Sequence, residues 1–324
     1  MPLKTPVALI IFNRPDLTRA VFETIRRAQP KELLIIADGP RTPEDQPKCA
    51  QARAAAQEVD WDCKLRLRFS DTNLGCGRGP ATGIDWVFAH VEQAIILEDD
   101  CLPAPSFFPF CESLLNHYRD DERVMHISGD SFQLGHTRTP YSYFFSKYTH
   151  GCGWATWRRA WQHYDFEIKR WGKFVAQGML GSLFPDEIER AFWLKKLQPL
   201  HEKTRDDAWD YQWNCCLWMH GGLAIFPSVN LVSNLGFRED GTHTTKISRW
   251  ADLPRGEIDQ IIHPPSVVAN RAADEFTFNE WYGGHRLRER STWRYRFSKP
   301  VRLYRKFKQR WGHSTSTSGN SDRP

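Results

Sequence analysis

Residues 94–110 read Ala-Ile-Ile-Leu-Glu-Asp-Asp-Cys-Leu-Pro-Ala-Pro-Ser-Phe-Phe-Pro-Phe, an apolar run that ends in three consecutive acids. A short apolar run of this kind is typical of a buried strand in a parallel sheet. Ligands of open α/β sheets bind just outside the carboxyl ends of such strands. Glu98, Asp99 and Asp100 would repel one another there and lose hydration, so we expect a positive charge to compensate them. A hard divalent cation fits that need, and a solvated acidic turn is the alternative.

The strand and helix patterns around this segment indicate the fold class. Apolar or alternating runs are separated by helical patterns; the runs lie at 7–12, 33–37, 64–69 and 94–98, and the helical patterns at 16–28, 44–58 and 80–92. Such alternation with short connections predicts an α/β fold, with a mostly parallel sheet flanked by helices. Further strands are predicted at 124–128, 141–146 and 223–232, and helices at 185–200 and 205–220. Residues 246–285 read as a loop-rich extension.

Length and composition indicate the kind of protein and the compartment it occupies. A chain of 324 residues can bury a substantial core. No apolar run approaches the roughly 18–20 residues that span a bilayer, and residues 6–12 read as a core strand, not as a signal peptide. The eight cysteines form no CxxC pair, which favours reduced thiols. We therefore expect a cytoplasmic protein.

The charge is concentrated near the end of the sequence. From Arg286 to Arg310 there are 11 Lys or Arg and one Glu, whereas the whole chain has a formal net charge of only +5. Aromatic residues alternate with these cations across 286–313, a pattern typical of a segment on an anionic membrane surface. Nucleic-acid binding and a solvated helix are the alternatives. Residues 314–324 are rich in Ser, Thr and Gly and are predicted to be disordered.

Polar residues follow each predicted strand of the first half. The first is followed by Phe12-Asn13-Arg14, the second by Asp38, and the third by the glycine-rich stretch from Asn73 to Gly79, which includes Arg78. We expect Arg14 to meet a phosphate or base, Asp38 to accept hydrogen bonds from a ribose or base, and the glycine stretch to be a flexible loop that opens a helix. The glycine spacing does not match the dinucleotide fingerprint, so a Rossmann dehydrogenase is disfavoured.

The acidic motif also carries a resemblance. Ile-Leu-Glu-Asp-Asp-Cys-Leu-Pro-Ala-Pro-Ser-Phe-Phe, residues 96–108, resembles the metal-binding segment of N-acetylglucosaminyltransferase I and its relatives. The wider pattern, over residues 6–240, is similar to GT-A glycosyltransferases, including bacterial family-2-like chains. Asn13-Arg14 matches the Asp-Arg after that family's first strand, Asp38 its nucleotide-contacting acid, and Gly151-Cys152-Gly153-Trp154 its acceptor-side turn.

The resemblance implies an organisation and a set of roles. Residues 1–245 would form a GT-A domain, with a nucleotide-sugar half at 1–130 and an acceptor half at 131–245. Asp100 would ligate Mn²⁺ or Mg²⁺, and His243 is a second metal candidate, with a surface histidine as the alternative. Gly153, Trp154 and Trp209 would lie on the acceptor side. The donor nucleotide would contact Phe12, Asn13, Arg14, Asp38, Asn73, Arg78, Glu98 and Asp99.

An inverting transferase also needs a base for the acceptor hydroxyl. By resemblance this is Asp210, which follows Trp209, or Asp207, which lies in an acidic pair before it. The two are three residues apart, so both could share one helix face. Helix capping is the alternative role for each.

The resemblance, taken with these patterns, implies a metal-dependent, inverting hexosyl- or N-acetylhexosaminyltransferase. It would move a sugar from a nucleotide-diphosphate donor, a UDP-sugar above all, to a cell-surface glycan or lipid-linked acceptor, from the cytoplasm or the inner face of the membrane. Two alternatives stay open: a non-catalytic, hemolysin-like relative that binds glycan or membrane, and a nucleotidyltransferase that forms sugar nucleotides.

Overall fold

The computed structural model describes residues 2–237 and 249–291, and within them the chain forms ten strands, eleven α-helices and one 3-10 turn. The strands are β1 (Val7–Ile11), β2 (Glu32–Ala37), β3 (Lys64–Phe69), β4 (Gln93–Glu98), β5 (Cys101–Pro103), β6 (Val124–Ser128), β7 (Tyr143–Ser146), β8 (Trp154–Trp157), β9 (Leu223–Pro227) and β10 (Val232–Asn234). The helices are α1 (Pro15–Ala28), α2 (Gln46–Ala55), α3 (Gly75–His90), α4 (Phe107–His117), α5 (Arg158–Trp161), α6 (Trp171–Ala176), α7 (Met179–Leu183), α8 (Glu187–His201), α9 (Asp210–His220), α10 (Arg271–Glu280) and α11 (Gly284–Ser291). The 3-10 turn is Pro43–Asp45.

Eight strands form one sheet in the order β3-β2-β1-β4-β8-β6-β9-β7, and β5 and β10 form a separate antiparallel pair. The first four strands are mutually parallel. Their register matches at the carboxyl ends, since Ile10 pairs with Glu98, Ile11 with Ala37, and Ala37 with Phe69. The residues that follow these strands therefore emerge at one edge of the sheet, as the sequence predicted.

The second half of the sheet is mixed. β8 runs antiparallel to both β4 and β6 and so joins the two halves, while β6 is parallel to β9 and β7 is antiparallel to β9. The α/β class, the mostly parallel sheet and the flanking helices are confirmed. β8 was missed, because only four residues separate the turn at Gly151–Gly153 from α5.

Helices cover both faces of the sheet because successive strand residues point to opposite sides. In β2, Leu33 and Ile35 pack with apolar residues of α1, α2 and α4. Leu34 and Ile36 pack on the other side, against α3 and α9. This second core contains Trp154, Trp161, Trp209 and Trp213, so these aromatic residues fill the interior.

Helix α3 begins earlier than predicted. The pattern placed its start at residue 80 and a flexible glycine loop before it, whereas the helix starts at Gly75. The glycines serve close packing: a Cβ added at Gly77 would lie 2.0 Å from the carbonyl oxygen of Asp206, and one at Gly83 would lie 2.7 Å from Cγ2 of Ile36. The glycine-rich stretch is therefore the first turns of a helix on which other segments rest directly.

The extension after residue 245 is less irregular than predicted. Residues 249–270 contain no helix and contribute no strand to either sheet, but α10 follows. Asn270 caps this helix by accepting a hydrogen bond from the backbone N–H of Ala273 at 3.0 Å. The predicted boundary at residue 245 and the segment 292–324 lie outside the described residues. By contact density the chain divides into two units, Met1–Thr277 and Phe278–Pro324.

Two further expectations concern cysteines and membrane spans. All eight cysteines lie in the described ranges and none forms a disulfide, and Cys49, Cys101, Cys111, Cys215 and Cys216 are buried. Among the helices of residues 2–237 and 249–291, none combines the length and apolarity that crossing a bilayer requires.

The packing of Gly77 generates a prediction. Alanine in a helix interior is ordinarily more stable than glycine by about 0.5–1 kcal/mol. At Gly77 the added methyl would collide with the Asp206 carbonyl, so we expect Gly77→Ala to lower the free energy of unfolding by about 1–3 kcal/mol in urea denaturation. Gly181→Ala is the control, because the nearest atom to its Cβ would be Arg190 Nη1 at 3.7 Å. Equal effects of the two substitutions would contradict this account of the glycine stretch.

Candidate active site

The carboxyl ends of β1, β2, β3 and β4 enclose a cavity of about 230 Å³. It is close to the small-molecule size range, and it lies where open α/β sheets bind ligands. Six of the predicted donor-side residues line it: Phe12, Arg14, Asp38, Asn73, Glu98 and Asp99. The fold therefore places around one cavity six residues that the sequence predicted to lie at the same edge of the sheet.

Arg14 supplies the positive charge that the acidic motif requires. Its Nη1 lies 2.9 Å from Oδ2 of Asp100, and its Nη2 donates to Asp99. Asp99 also accepts a hydrogen bond from the backbone N–H of Phe12 at 3.3 Å. Side-chain exposure is 16% for Arg14, 3% for Asp99 and 13% for Asp100, so the three charges are largely desolvated together. Arg14 is thus an internal counter-ion of the acids.

The pKa values of this cluster follow from burial and charge. Burial raises the pKa of Asp99 to about 6, with Arg14 opposing the rise and Asp100 adding to it. Burial would lower the pKa of Arg14, but the charges of Asp99 and Asp100 outweigh it and raise that pKa. The guanidinium therefore stays charged beside the two carboxylates.

Glu98 is the least compensated of the three acids. Burial raises its pKa to about 8, and the charges of Asp100 and Asp99 add to the rise against the effect of Arg14. The charge of Asp210 contributes in the same direction. Asp210, the first residue of α9, is therefore within electrostatic reach of the acidic motif.

Asp38 has a role that the sequence did not predict. Its carboxylate accepts hydrogen bonds from the backbone N–H groups of Leu74 and Gly75, at 2.9–3.1 Å, and from the side chain of Asn73 at 3.1 Å. A carboxylate at this position satisfies the unpaired N–H groups of a helix start and complements the helix dipole. Asp38 thus fastens the start of α3 to the end of β2 while facing the cavity.

Two arginines of the cavity wall were missed. Arg41 lies with its guanidinium 5.0 Å from the ring centroid of Phe12 and pairs with Asp45, which also accepts from Asn13 at 2.7 Å. The hydrogen bonds from Arg41, and then Asn13, lower the pKa of Asp45 to about 2 despite burial. Arg68 donates to Thr82 at 3.0 Å. A cation shortly after a strand is the signal that could have found Arg41.

Arg78 and Asp207 lie elsewhere than predicted. Arg78 does not point into the cavity, because its guanidinium lies over the ring of Phe166, 4.6 Å from the centroid. Asp207 pairs with Arg205 and precedes α9, which begins at Asp210. The expectation that Asp207 and Asp210 share a helix face is wrong, because the turn before α9 is not helical.

The predicted acceptor-side residues pack on one another. Trp154 is completely buried and stacks on Trp209, with ring centroids 5.5 Å apart and planes at 23°. Gly153 has a φ of +66°, and its carbonyl accepts a 2.7 Å hydrogen bond from Gly129. Because Trp154 is buried against Trp209, it offers no surface to a ligand.

The chemistry of the site suits a hard cation. Mg²⁺ and Mn²⁺ take oxygen ligands, and Mg²⁺ commonly binds one or two protein carboxylates and completes its shell with substrate phosphates and water. Asp100 and Asp99 already hold one positive group between them. Across residues 2–237 and 249–291, no three His, Cys, Asp or Glu side chains converge into a complete metal-binding set. His243 lies outside the described residues.

Comparison with known proteins adds little to this geometry. No protein-family model matches the chain, and no curated protein matches it in sequence. Among solved structures, it is similar to a UDP-glucose pyrophosphorylase complexed with UDP-glucose, with 11% identity and a TM-score of 0.26. That match covers 45% of this chain and 64% of the other, less than two thirds of its length. The fold is thus that of an α/β protein with a cavity lined by acids and arginines at the carboxyl edge of its sheet.

The contacts of Asp38 yield a stability prediction. We expect Asp38→Asn to lower the free energy of unfolding by about 1–2 kcal/mol, because the amide cannot accept all of the N–H groups at the start of α3. Asp71→Asn is the matched control, since Asp71 is an exposed carboxylate in the connection between β3 and α3. Urea denaturation of both variants measures the difference, and a loss no larger at Asp38 than at Asp71 would contradict the capping role.

Proposed function

We propose that this protein is a metal-dependent, inverting glycosyltransferase of the GT-A type. It would transfer a hexosyl or N-acetylhexosaminyl group from a UDP-sugar to a cell-surface glycan or lipid-linked acceptor. The observation that carries the proposal is that Phe12, Asp38, Glu98 and Asp99 line one cavity, with Asp100 held beside them through Arg14. The charge of Asp210 acts on the pKa of Glu98, which supports a role for the start of α9 as well.

The cavity suits a nucleoside and its phosphates. Phe12 and Ile36 provide apolar wall, while Asn73 and Asp38 provide polar groups that can fix the orientation of a base or ribose. Arg41 and Arg68 add positive charge to the same wall, which favours a phosphorylated ligand. Asp38 already accepts from the N–H groups of Leu74 and Gly75 at the start of α3, so we expect phosphate binding to depend mainly on these side chains and on a cation.

Asp100 is the residue that would hold the cation, Mn²⁺ or Mg²⁺. When bound, such a cation would stabilise the negative charge that grows on the leaving diphosphate. Glu98, whose raised pKa favours the neutral form at neutral pH, can donate a hydrogen bond to a sugar hydroxyl or phosphate oxygen.

Asp210 is the proposed base. Its carboxylate is exposed at the start of α9 and within electrostatic reach of Glu98, whereas Asp207 lies in the preceding turn and pairs with Arg205. An exposed carboxylate near the acidic motif can accept the proton of an acceptor hydroxyl as that oxygen attacks the sugar.

A thermal-shift panel tests the donor assignment. UDP-, GDP-, CMP- and dTDP-sugars are each added with Mn²⁺ and with EDTA. A ligand that binds only the native state adds about 2.7 kcal/mol of apparent stability at a hundredfold excess over Kd. We expect a Mn²⁺-dependent rise in Tm with UDP-sugars. A folded sample that shifts with no donor would refute the proposal and favour a glycan-binding relative.

Asp210→Asn tests the catalytic assignment. We expect this variant to keep the donor-induced rise in Tm but to release UDP from the donor about 10²- to 10⁴-fold more slowly, since it lacks the base. Asp207→Asn is the matched control and should retain most of the wild-type rate. A loss confined to Asp207→Asn would reverse the assignment. Release of pyrophosphate in place of UDP would identify a nucleotidyltransferase.

A further inference from the structure

We propose that Arg14 is a gate on the divalent-cation site: its guanidinium occupies the cation's place on Asp100 until a nucleoside diphosphate draws it away. The inference deepens the proposed function and depends on it for the identity of the two ligands. It makes cation binding and donor binding mutually dependent, through one side chain.

The first observation is that Arg14 blocks the carboxylate oxygen that a cation would use. Oδ2 of Asp100 lies 2.9 Å from Arg14 Nη1, and it is also close to Gly236, where an added Cβ would be only 2.1 Å away. Oδ1 of Asp100 accepts a 3.5 Å contact from the Cys101 thiol. A cation therefore gains full access to Asp100 only after the guanidinium leaves.

The second observation is that the backbone of Arg14 is held by contacts that do not involve its guanidinium. Arg14 precedes Pro15, the first residue of α1, and its carbonyl accepts hydrogen bonds from both the backbone N–H and the hydroxyl of Thr18, each at 2.9 Å. Proline at a first helical position is preorganised for the helix. The long side chain is thus free to change rotamer without disturbing the helix start.

The third observation is that a destination exists. Arg14 lines the same cavity as Phe12 and Asp38, so its side chain could reach a diphosphate bound there. A guanidinium binds phosphate oxygens as well as carboxylates, often through two parallel hydrogen bonds. A cation that binds Asp100 would release the guanidinium to bind phosphate. A diphosphate that binds Arg14 would in turn leave Asp100 open to the cation.

Such a gate has a thermodynamic signature. If the diphosphate raises cation affinity by some factor, the cation must raise diphosphate affinity by the same factor. Removal of Arg14 should have opposite effects on the two ligands: cation alone should bind more tightly, because nothing competes for Asp100, and UDP with cation should bind more weakly. Damage to the fold would weaken both.

The experiment measures Mn²⁺ binding by electron paramagnetic resonance, with Mn²⁺ alone and with saturating UDP, for wild type, Arg14→Gln, Arg14→Lys and Arg27→Gln. Arg27→Gln is the matched control, since it removes one charge from the same helix at its opposite end. We expect Arg14→Gln to bind Mn²⁺ alone more tightly than wild type, by a factor within the usual range for coupled sites of about 5- to 150-fold. UDP should tighten Mn²⁺ binding more in wild type and Arg27→Gln than in Arg14→Gln, where only direct contact between the cation and the phosphates remains.

The measured Mn²⁺ affinities either support the gate or overturn it. Unchanged or weaker Mn²⁺ affinity in a folded Arg14→Gln variant would overturn the gate. If that variant does not fold, Arg14→Lys carries the test: lysine keeps the charge without the two-pronged contact, so intermediate tightening supports the gate and wild-type affinity overturns it. The proposed function fails separately, if wild type binds no UDP even with Mn²⁺, because the comparison with Mn²⁺ alone does not involve the nucleotide.

Discussion

The contact of Arg14 with Asp99 and Asp100 makes it possible for β4 to end in three acids inside the fold. β4 lies between β1 and β8, so its end is covered on both sides and hydration of the carboxylates is restricted. Three uncompensated negative charges at such a position would be costly to bury. Arg14 offsets two of them, and the raised pKa of Glu98 lets the third acid become neutral by taking up a proton. The charge of the cavity therefore depends on one side chain from the neighbouring strand's end.

A second constraint acts on the glycine stretch that opens α3. Its N–H groups would ordinarily make the helix start a site for anions. Here Asp38 occupies those of Leu74 and Gly75, and Gly77 admits the backbone of Asp206 at a distance that no side chain would allow. The same helix turn is consequently tied to β2 on one side and to the segment before α9 on the other. A phosphate bound in the cavity would therefore meet arginine side chains or a cation in preference to the N–H groups of Leu74 and Gly75.

Much of this arrangement followed from the sequence. The parallel strands were predictable because their aliphatic runs end in polar residues at matching points, and register then brought Phe12, Asp38 and Asp99 to one edge. The sequence did not indicate which side chains would contact one another. Nothing in the pattern indicated that Arg14 would face Asp100, that Asp38 would cap α3, or that Arg78 would turn to Phe166, because each depends on tertiary distances. Glycine spacing was likewise ambiguous, since close packing and loop flexibility demand the same residue.

The aromatic core explains how the two halves of the chain keep a fixed relation at the site. Trp154 belongs to β8 and pairs with Ile96 of β4, two residues before Glu98. Its indole stacks on Trp209, the residue immediately before Asp210. The acidic motif and the start of α9 are thus joined through one strand pairing and one ring contact, both buried. Because packed aromatic rings and a hydrogen-bonded ladder do not deform gradually, the separation between Glu98 and Asp210 is set by the core and not by the loops at the rim.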